Sequence, residues 1–422
     1  MKIAVIGGGA SGMISAYLLD QQGHEVTVYE RQPILGGHIR TLNQNVAPQT
    51  DCPELLEMGV LEFSAEFKNF RRLMEDLAVP LEPVEIGSGL FFKGGRHFLS
   101  PVMVKNNFRG AQKWRELLRL DALYVQSLGL WIKTHRAHIE QLAGQPLSAY
   151  FTPENDQTIW LKALTMYSYS MPYDAIDNFP AQLAIPSLRR YVFGHWFRIK
   201  GGVYSYVERI LSRFSGEVQV GAEVGAVHRT PDAVQIDGQL GDRTRFARQF
   251  DKVVFAAPPD QFLRLVADPR PDEIKRFQAW RPNHTQTILH SDRALYKPYN
   301  IQRGSEFDFF QTNAGWGYNA YLNQLCGITS KTPYSLAFNL EKEISPEKIV
   351  QVQPHHTPFY DAESFRYRDE VIAANGAYHT YHAGAYLSDG LHEGAVTSAM
   401  TVAAAIASSD APLKQSQSQL VA

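Results

Sequence analysis

The chain opens with KIAVIGGGASG at residues 2–12, and this stretch decides its fold. Lys2–Ile6 predicts a short β-strand, the glycines predict a tight turn, and Met13–Gln22 predicts a helix that ends at Gly23. Glu25–Glu30 predicts a second strand. A strand, a glycine-rich turn, a helix and a strand that ends in an acid form the dinucleotide-binding pattern of a doubly wound α/β fold.

Each glycine of this turn has a physical role. Gly7 makes the tight turn, Gly9 lets a pyrophosphate approach the backbone, and Gly12 lets helix and strand pack closely. The helix N-terminus at Ala10–Gly12 offers unpaired N–H groups and a positive dipole end to the phosphates. Glu30 would accept hydrogen bonds from the ribose hydroxyls, and its charge would repel the 2′-phosphate of NADP.

The composition is that of an ordinary globular protein with two or three domains, since the chain has 422 residues, of which 44% are hydrophobic and 20% charged. The formal net charge of −2 and the lack of a basic stripe argue against a nucleic-acid partner. Cys52 and Cys326 do not form a C-x-x-C pair. They therefore predict no disulfide framework, and a reducing cytoplasmic location fits them.

Neither end of the sequence predicts a membrane anchor. Glycines interrupt the first strand too early for a signal peptide, and the most apolar helical stretch, Ala122–Ile132, is too short to cross a bilayer. We therefore expect no transmembrane segment, while peripheral contact with a membrane stays open. The polar residues 411–422 are expected to form a disordered tail. The oligomeric state is left undetermined.

A second glycine pair follows the acid, in Leu35-Gly36-Gly37-His38 and on to Thr41. Here the sequence resembles the FAD-dependent amine oxidase and phytoene desaturase superfamily. The resemblance implies that this turn contacts the phosphates and ribityl chain of a non-covalently bound FAD, with His38 standing where the family usually has Arg. It also implies that Met58–Phe63 lies along the isoalloxazine ring.

The resemblance continues through Lys200–Tyr204, Phe250–Pro259 and Tyr378–Ala395. It implies that Val224 contacts the adenine and that a final helix, running to about Ala407, points its N-terminus at the flavin pyrimidine ring. The cofactor-binding residues are then expected to be Gly7, Gly9, Ala10, Ser11, Gly12, Glu30, Gly36, Gly37, His38, Thr41, Gly59, Val60, Leu61, Val224, Gly384, Glu393, Gly394 and Ala395.

These matches predict a doubly wound Rossmann-type FAD-binding domain with an inserted α+β substrate domain. The FAD-binding domain would comprise residues 1–85, 200–275 and 350–410. The substrate domain would comprise residues 86–199, which are rich in helix formers and aromatic residues, and 276–349.

Two positions bear on the substrate. An amine oxidase of the family would have a lysine where Gln286 stands and a cage tyrosine where Leu391 stands. The residues around Leu391 look like those of amine-oxidase-like flavoproteins associated with cyclopropane fatty acid synthases. This resemblance implies an FAD-dependent desaturase, dehydrogenase or isomerase that moves a hydride from a lipophilic, acyl-chain-like substrate to flavin N5. Two alternatives remain open: an amine or amino-acid oxidase that produces hydrogen peroxide, and a protein that holds flavin for a structural purpose.

The histidines favour a proton or electrostatic role rather than a metal site. His355 and His356 are adjacent, so their side chains diverge, and His379 and His382 would face opposite sides of a strand. We therefore predict no metal. His392 directly precedes the flavin-facing helix and is the candidate catalytic residue, as a proton donor or an electrostatic partner of the flavin.

Overall fold

The computed structural model describes residues 1–136, 139–151 and 154–418. In chain order the strands are β1 (Lys2–Ile6), β2 (Glu25–Glu30), β3 (Phe63–Ser64), β4 (Leu81–Val84), β5 (Ser88–Phe91), β6 (His97–Phe98), β7 (Trp196–Ile199), β8 (Glu217–Val220), β9 (Glu223–Arg229), β10 (Val234–Gln239), β11 (Arg245–Phe250), β12 (Lys252–Phe255), β13 (Arg281–His290), β14 (Phe307–Thr312), β15 (Gly315–Tyr321), β16 (Ser335–Phe338), β17 (Ile349–Phe359) and β18 (Thr380–His382). The helices are α1 (Ala10–Gln21), α2 (Lys68–Asp76), α3 (Pro101–Asn107), α4 (Gly110–Arg136), α5 (Ile139–Leu142), α6 (Asp156–Tyr169), α7 (Ala181–Phe193), α8 (Ser205–Leu211), α9 (Phe262–Leu265), α10 (Pro271–Phe277), α11 (Leu322–Leu325), α12 (Ala362–Phe365), α13 (Arg368–Ala373) and α14 (His392–Ser418).

The predicted β–α–β opening is present as β1, α1 and β2. These strands belong to a parallel sheet of order β18-β12-β1-β2-β8. Residues 3–6 of β1 are buried, as expected for a strand covered on both faces. Because the strands are parallel, their carboxyl ends share one edge of the sheet. The strand order reverses at β1, since β2 and β8 lie on one side of it and β12 and β18 on the other. The predicted α/β fold is confirmed, and its binding crevice lies at this edge.

A seven-stranded sheet of order β17-β13-β16-β15-β14-β5-β6 builds the second layer of the molecule. Its strands come from both predicted inserts, and α3, α4 and α6 come from the first insert. The long strand β17 pairs antiparallel with β13 along Arg281–His290. The sheet therefore extends past the boundary predicted at residue 349, because β17 finds its pairing partner in the second insert. With that shift, the two-domain division stays a prediction.

The C-terminal part departs from the expected elements in two places. The strand expected from Tyr378 is shorter, because Tyr378 and His379 have φ angles of 52° and 60° and form a turn before β18. The last helix, α14, continues to Ser418 rather than ending near Ala407, so most of the predicted disordered tail is helical. Burial of Ala399, Val402 and Ile406 fixes the first part of the helix. Residues 419–422 lie outside the described residues.

Across the residues that the structure describes, none of the helices combines the length and apolar character needed to span a bilayer. The longest continuous stretch of helix formers in the first insert, Ala111–His138, predicts a helix and corresponds to α4, which is described to Arg136. Residues 137 and 138 lie outside the described residues.

Candidate active site

The first glycine turn is shaped by contacts that exclude side chains. A Cβ added to Gly12 would lie 1.8 Å from the carbonyl oxygen of Gly7, and one added to Gly7 would lie 2.8 Å from the carbonyl of Ala256. A Cβ added to Gly9 would meet only Gly37, at 3.6 Å. Gly7 and Gly12 therefore permit close packing, whereas Gly9 leaves space open in front of α1.

The second glycine turn faces the first. The amide of Gly36 donates to the carbonyl of Gly8 at 2.9 Å, and Gly9 and Gly36 form a parallel bridge. Gly36 and Gly37 have φ angles of 112° and 59°, which L side chains rarely adopt. Together the two turns make a narrow backbone-lined cradle at the N-terminus of α1, where Ala10 and Ser11 form the first helical turn.

Glu30 holds the first turn in place. Its Oε2 accepts a hydrogen bond from the amide of Gly8 at 2.7 Å, and its Oε1 accepts one from the amide of Gln32 at 2.8 Å. The sequence pattern predicted a ribose contact for Glu30, but it did not indicate that Glu30 binds backbone amides of its own turn. The predicted ribose contact stays a prediction.

Val224 lies close to the end of β2. The amide of Ala222 donates to the carbonyl of Glu30 at 2.9 Å, and that of Gly221 donates to Gln32 at the same distance. Val224 follows on β9 and is buried. The structure thus brings it to the side of the crevice where Glu30 stands.

Three residues after the second glycine pair have partners within the protein. The ring nitrogen Nε2 of His38 lies 2.8 Å from the carbonyl of His356. Arg40 is buried and donates to the carbonyls of Leu35 and Ile39, and burial lowers its pKa while Glu30 opposes that shift. The hydroxyl of Thr41 donates to Glu57 at 2.8 Å. These side chains hold the turn, so the phosphate contacts predicted for His38 and Thr41 have no support from their orientation.

Glu57 is a buried carboxyl that the sequence reasoning missed. Besides Thr41, it accepts a hydrogen bond from the amide of Val203 at 2.7 Å. It therefore ties the predicted Gly-Gly motif at Gly201 and Gly202 to the second glycine turn. Burial raises the pKa of Glu57 to about 8, so it is largely protonated at neutral pH.

The segment Met58–Phe63 runs along the crevice. The amide of Met58 donates to the carbonyl of Arg40 at 2.8 Å, and a Cβ on Gly59 would lie 2.0 Å from the carbonyl of His38. Val60 is half-buried and Leu61 is buried. The segment is therefore pressed against the second glycine turn, and its predicted place beside the flavin stays a prediction.

Strand β13 packs against this segment. The side chain that contacts the segment is Thr287, not Gln286. The hydroxyl of Thr287 donates to the carbonyl of Met58 at 2.6 Å, and His355 Nε2 lies 3.0 Å from the same oxygen. Gln286 is exposed and donates to Glu341. Successive strand residues face opposite sides, so Thr287 faces this segment while Gln286 faces away from it. Burial lowers the pKa of His355 to about 3, which leaves its ring neutral.

Glu62 reaches from this segment into the aromatic layer of the first insert. The hydroxyl of Tyr167 donates to both of its oxygens, at 2.9 and 2.7 Å. Burial raises the pKa of Glu62 to about 7. The ring of Tyr167 stacks on Phe307 at 4.5 Å and meets Tyr318 edge-on at 4.9 Å. A carboxyl that titrates near neutrality thus stands in an otherwise carbon-rich wall.

The start of α14 differs from what was expected of it. Glu393 accepts hydrogen bonds from the amides of Asn69 and Phe70, both at 3.0 Å, and so caps α2. The carboxylate of Asp389 accepts from the amide of Gly394 at 2.8 Å and pairs with Arg190 at 3.0 Å. Part of the positive helix end is therefore already occupied by a paired carboxylate. The flavin contacts predicted for Glu393, Gly394 and Ala395 stay predictions.

His392 packs into the protein instead of presenting a proton. Its ring meets Phe63 edge-on at 5.1 Å and Phe70 at 5.7 Å, and Nε2 lies 3.2 Å from the hydroxyl of Tyr206. Burial lowers its pKa to about 3, so the ring is neutral at physiological pH. These contacts give the ring a packing role, and the catalytic role predicted for His392 stays a prediction.

Gly384 and Leu391 flank the same helix start. The amide of Gly384 donates to Ser398 at 3.0 Å, and a Cβ at this position would lie 2.4 Å from the ring of Tyr386. Leu391 is half-buried and packs against both large core clusters. The position of the missing cage tyrosine is thus apolar, as predicted.

A cavity of about 550 Å³ lies between the two inserts. Its walls combine the aromatic side chains of Tyr173, Trp316 and Phe338 with polar groups of β13, including Thr285. Thr285 lies directly opposite His355 in the β13–β17 pairing. The cavity therefore lies against β13, beside its pairing with β17.

The other histidines take part in protein contacts. His356 Nε2 lies 3.1 Å from both oxygens of Asp260, and its ring lies 4.7 Å from that of His284. Among the described residues, no group of three or more His, Cys, Asp or Glu side chains is arranged to hold a metal ion.

The doubly wound fold and the two facing glycine turns define a dinucleotide-dependent redox protein. Residues 10–295 match the family described as flavin containing amine oxidoreductase. The chain belongs to this family and is an oxidoreductase whose cofactor is FAD. The cradle fits that group, because Gly9 leaves room for a diphosphate between the turns and Glu30 lies at the end of β2.

One similar curated protein is the 4,4'-diapophytoene desaturase (4,4'-diaponeurosporene-forming) of Staphylococcus aureus, at 26% identity over 323 residues. The match covers 66% of this chain and only 59% of the desaturase.

Two solved structures share the fold. A triple mutant of putrescine oxidase has a TM-score of 0.68 at 13% identity, with 96% of this chain and 98% of that chain covered. A CLA-producing fatty acid isomerase from P. acnes has a TM-score of 0.67 at 15% identity, with 94% and 96% covered. At these identities the likeness extends to the fold alone.

Glu30→Ala is expected to lower FAD affinity by about ten- to a hundredfold, since a charge-assisted hydrogen bond contributes about 1.5–3 kcal/mol. Glu30→Gln should lose less, because its amide oxygen can still accept from the amide of Gly8. Titration of apoprotein with FAD measures both variants, provided that FAD is released by acid, as non-covalent attachment predicts. Equal affinity in Glu30→Ala and the wild type would show that the carboxylate makes no contribution to binding.

Proposed function

We propose that this protein removes a hydride from a lipophilic, acyl-chain-like substrate, as a desaturase, dehydrogenase or isomerase. When bound, FAD supplies a two-electron hydride acceptor at its N5 atom. The desaturase and fatty acid isomerase among the similar proteins support a lipophilic substrate. The further support for the proposal comes from the side chains of this protein's own site.

The observation that carries the proposal is the composition of the wall beside the segment Met58–Phe63. The stacked and edge-on rings of Tyr167, Phe307 and Tyr318 present mainly carbon, and Tyr318 stacks on Phe338 at 5.3 Å. Leu391 adds a further apolar side chain at the start of α14. Such a wall suits an alkyl chain, whose transfer from water is favourable in proportion to the area buried.

Within this wall, Glu62 is the group that can accept a proton. Formation of a carbon–carbon double bond removes a hydride, with its electron pair, from one carbon and a proton from the neighbouring carbon. The carboxylate of Glu62 takes that proton at an Oε atom, and the hydrogen bond from Tyr167 orients it. Its pKa of about 7 suits such a task at neutral pH. In an isomerase the same proton would return to another carbon.

The second candidate function is amine oxidation, and the same group favours it. A carboxyl surrounded by the rings of Tyr167 and Tyr318 resembles a cation-binding cage, since ring faces and a carboxylate both attract an ammonium group. Glu62 thus adds an ionisable group to a wall that is otherwise mainly carbon. The two functions differ in which substrate reduces the flavin.

The discriminating experiment is anaerobic mixing of the yellow holoenzyme with an unsaturated fatty acid or with putrescine. Bleaching of the flavin absorbance by the fatty acid alone supports the proposal. Bleaching by putrescine, with release of hydrogen peroxide in air, would replace it with the amine oxidase. An isomerase would return the hydride and is recognised by an isomerised fatty acid without lasting bleaching. Failure of both substrates, and of their homologues of other chain lengths, either to bleach the flavin or to give an isomerised product would favour a protein in which the flavin is structural.

Leu391→Tyr is expected to weaken the binding of a lipophilic substrate by about ten- to a hundredfold, because overpacking of an apolar site costs roughly 1–3 kcal/mol. The measurement is the substrate concentration that gives half-maximal bleaching. Leu391→Met conserves the volume and is the matched control. Tighter binding of putrescine in Leu391→Tyr, with no loss for the fatty acid, would contradict the apolar role of this position.

A cytoplasmic location fits this proposal. Cys52 and Cys326 are both free thiols, and burial raises the pKa of Cys326 well above its usual range. A buried, protonated thiol is poorly reactive, in keeping with a structural role.

A further inference from the structure

Helix α4 of the first insert exposes an apolar row made of Trp114, Leu118, Val125, Leu128 and Ile132. Trp114 and Leu118 are each 68% exposed, and Val125 is 71% exposed. At about 100° per residue, the five side chains fall within an arc of about 80° on the helix. The row extends over about 27 Å of helix, at about 1.5 Å per residue.

Large exposed apolar side chains of the described residues are concentrated on and beside this row. Together with Val102 of α3, its members are six of the eleven large apolar side chains that are exposed among the described residues. Scattered single exposures are ordinary on a protein surface, whereas a contiguous apolar patch marks an interaction site. The inner face of α4 is occupied, because Leu120 and Glu116 are buried there.

Basic side chains flank the apolar row. Apart from Arg119, which pairs with Glu116, the cations from α3 through the first half of α4 are Lys105, Arg109, Lys113 and Arg115, of which only Lys113 is half-buried. Nearby Glu116 does not cancel them, because its carboxylate is turned inward and pairs with Arg119 at 3.2 Å. Asp121 is an exposed carboxylate within the row itself. The flank is therefore positive and the row carries one negative charge.

We propose that the apolar row of α4 docks on a lipid bilayer that contains anionic headgroups. A helix of this kind lies in the plane of the interface, with its apolar side chains among the acyl chains. The indole of Trp114 suits the boundary between headgroups and acyl chains, and the long side chains of Lys113 and Arg115 can extend toward the phosphates. This inference does not depend on the proposed function, since it concerns the outer surface of the first insert.

A second copy of the chain is a poorer occupant for this surface. In a two-fold interface the same patch meets itself, so the basic flank of one protomer would approach that of the other. Anionic lipid headgroups, in contrast, are complementary to the basic flank and attract it by about 1 kcal/mol for each Lys or Arg near the surface. Charge complementarity thus selects the bilayer.

The test is co-sedimentation of the holoenzyme with vesicles made of equal parts of phosphatidylcholine and phosphatidylglycerol. The double variant Trp114→Ser/Leu118→Ser should bind at least about tenfold more weakly than the wild type. The matched control is Ile274→Ser/Met400→Ser, because these side chains are also exposed, at 39% and 42%, but lie elsewhere. This control should bind like the wild type. Asp121→Asn should bind more tightly, since it removes the carboxylate from the row.

Vesicles of phosphatidylcholine alone should bind the wild type more weakly, and added salt should weaken binding to the anionic vesicles. Circular dichroism and flavin content check that each variant is folded. The proposal is overturned if the wild type stays in the supernatant with both kinds of vesicle, or if the double variant binds as well as the wild type. Concentration-dependent dimerisation that only the double variant abolishes, without vesicle binding, would assign the row to a second copy.

Discussion

The variant Gly9→Val is expected to fold and to lose at least about a thousandfold in FAD affinity. The backbone of Gly9, with φ −76° and ψ −175°, is extended and suits a β-branched residue. An added Cβ would meet only the backbone of Gly37, with ordinary contact distances of 3.6 Å to its Cα and 3.9 Å to its nitrogen. The side chain would instead fill the space between the two glycine turns, where we place the diphosphate.

The expected size of the loss follows from the contacts that the diphosphate would forfeit. Hydrogen bonds to a charged group contribute about 1.5–3 kcal/mol each, so two lost contacts reduce affinity by roughly a thousandfold. The measurement is titration of the apoprotein with FAD, followed by the quenching of flavin fluorescence. The circular dichroism spectrum and the unfolding midpoint of the apoprotein should match those of the wild type.

Two further glycines serve as comparisons. Gly12→Val should fail to fold, because its Cβ would lie 1.8 Å from the carbonyl oxygen of Gly7, in the turn itself. Gly241→Val should fold and bind FAD normally, since its Cβ would come no closer than 3.7 Å to a neighbouring atom. Normal FAD affinity in Gly9→Val would place the diphosphate away from the facing turns.

The sequence was sufficient for the nucleotide-binding half of the fold because its signals are local. The strand, the turn, the helix and the acid that ends β2 all lie within the first thirty residues, and the backbone conformations that glycine permits restrict them strongly. The direction of each side chain, in contrast, could not be predicted from these local signals. Glu393 and His392 follow the expected motif, yet their partners are α2 and Tyr206, far away along the chain.

The part of the site expected to bind substrate was harder to predict, because it too depends on contacts between residues that are far apart in sequence. The choice between Gln286 and Thr287 depends on strand register, and a shift of one residue reverses the face of the sheet. The importance of Glu62 depends on Tyr167, which is 105 positions away in sequence. No pattern around Glu62 alone indicates that its pKa is raised.

Glu62→Gln is expected to slow flavin reduction by the substrate by about a hundredfold or more, the usual contribution of a general base. The glutamine carbonyl can still accept the hydrogen bond from Tyr167, so the packing is preserved while the basic oxygen is lost. In the wild type the rate should rise as the pH increases through about 7, where Glu62 becomes ionised, and then level off. The variant should lack this rise.

The matched control is Tyr167→Phe. The hydrogen bond from Tyr167 lowers the pKa of Glu62, against the larger effect of burial. Removal of the hydroxyl should therefore move the rise in rate to higher pH while the maximal rate is retained. Stopped-flow bleaching of the flavin under anaerobic conditions, on both sides of pH 7, measures all three proteins. A Gln variant as fast as the wild type would exclude Glu62 as the proton acceptor.

A readout that needs no turnover comes from stability. Because burial raises the pKa of Glu62 from 4.5 to about 7 in the folded state, the folded protein binds more protons than the unfolded chain between these values. The contribution of the protonated Glu62 carboxyl to the free energy of unfolding is fully present below about pH 4.5 and is lost as the pH rises through about 7. The unfolding midpoint of the wild type should therefore fall over this range relative to Glu62→Gln. Parallel midpoints in the two proteins would mean that the carboxyl is already ionised in the folded state, and it would then be available to an ammonium substrate rather than to a proton from an alkyl chain.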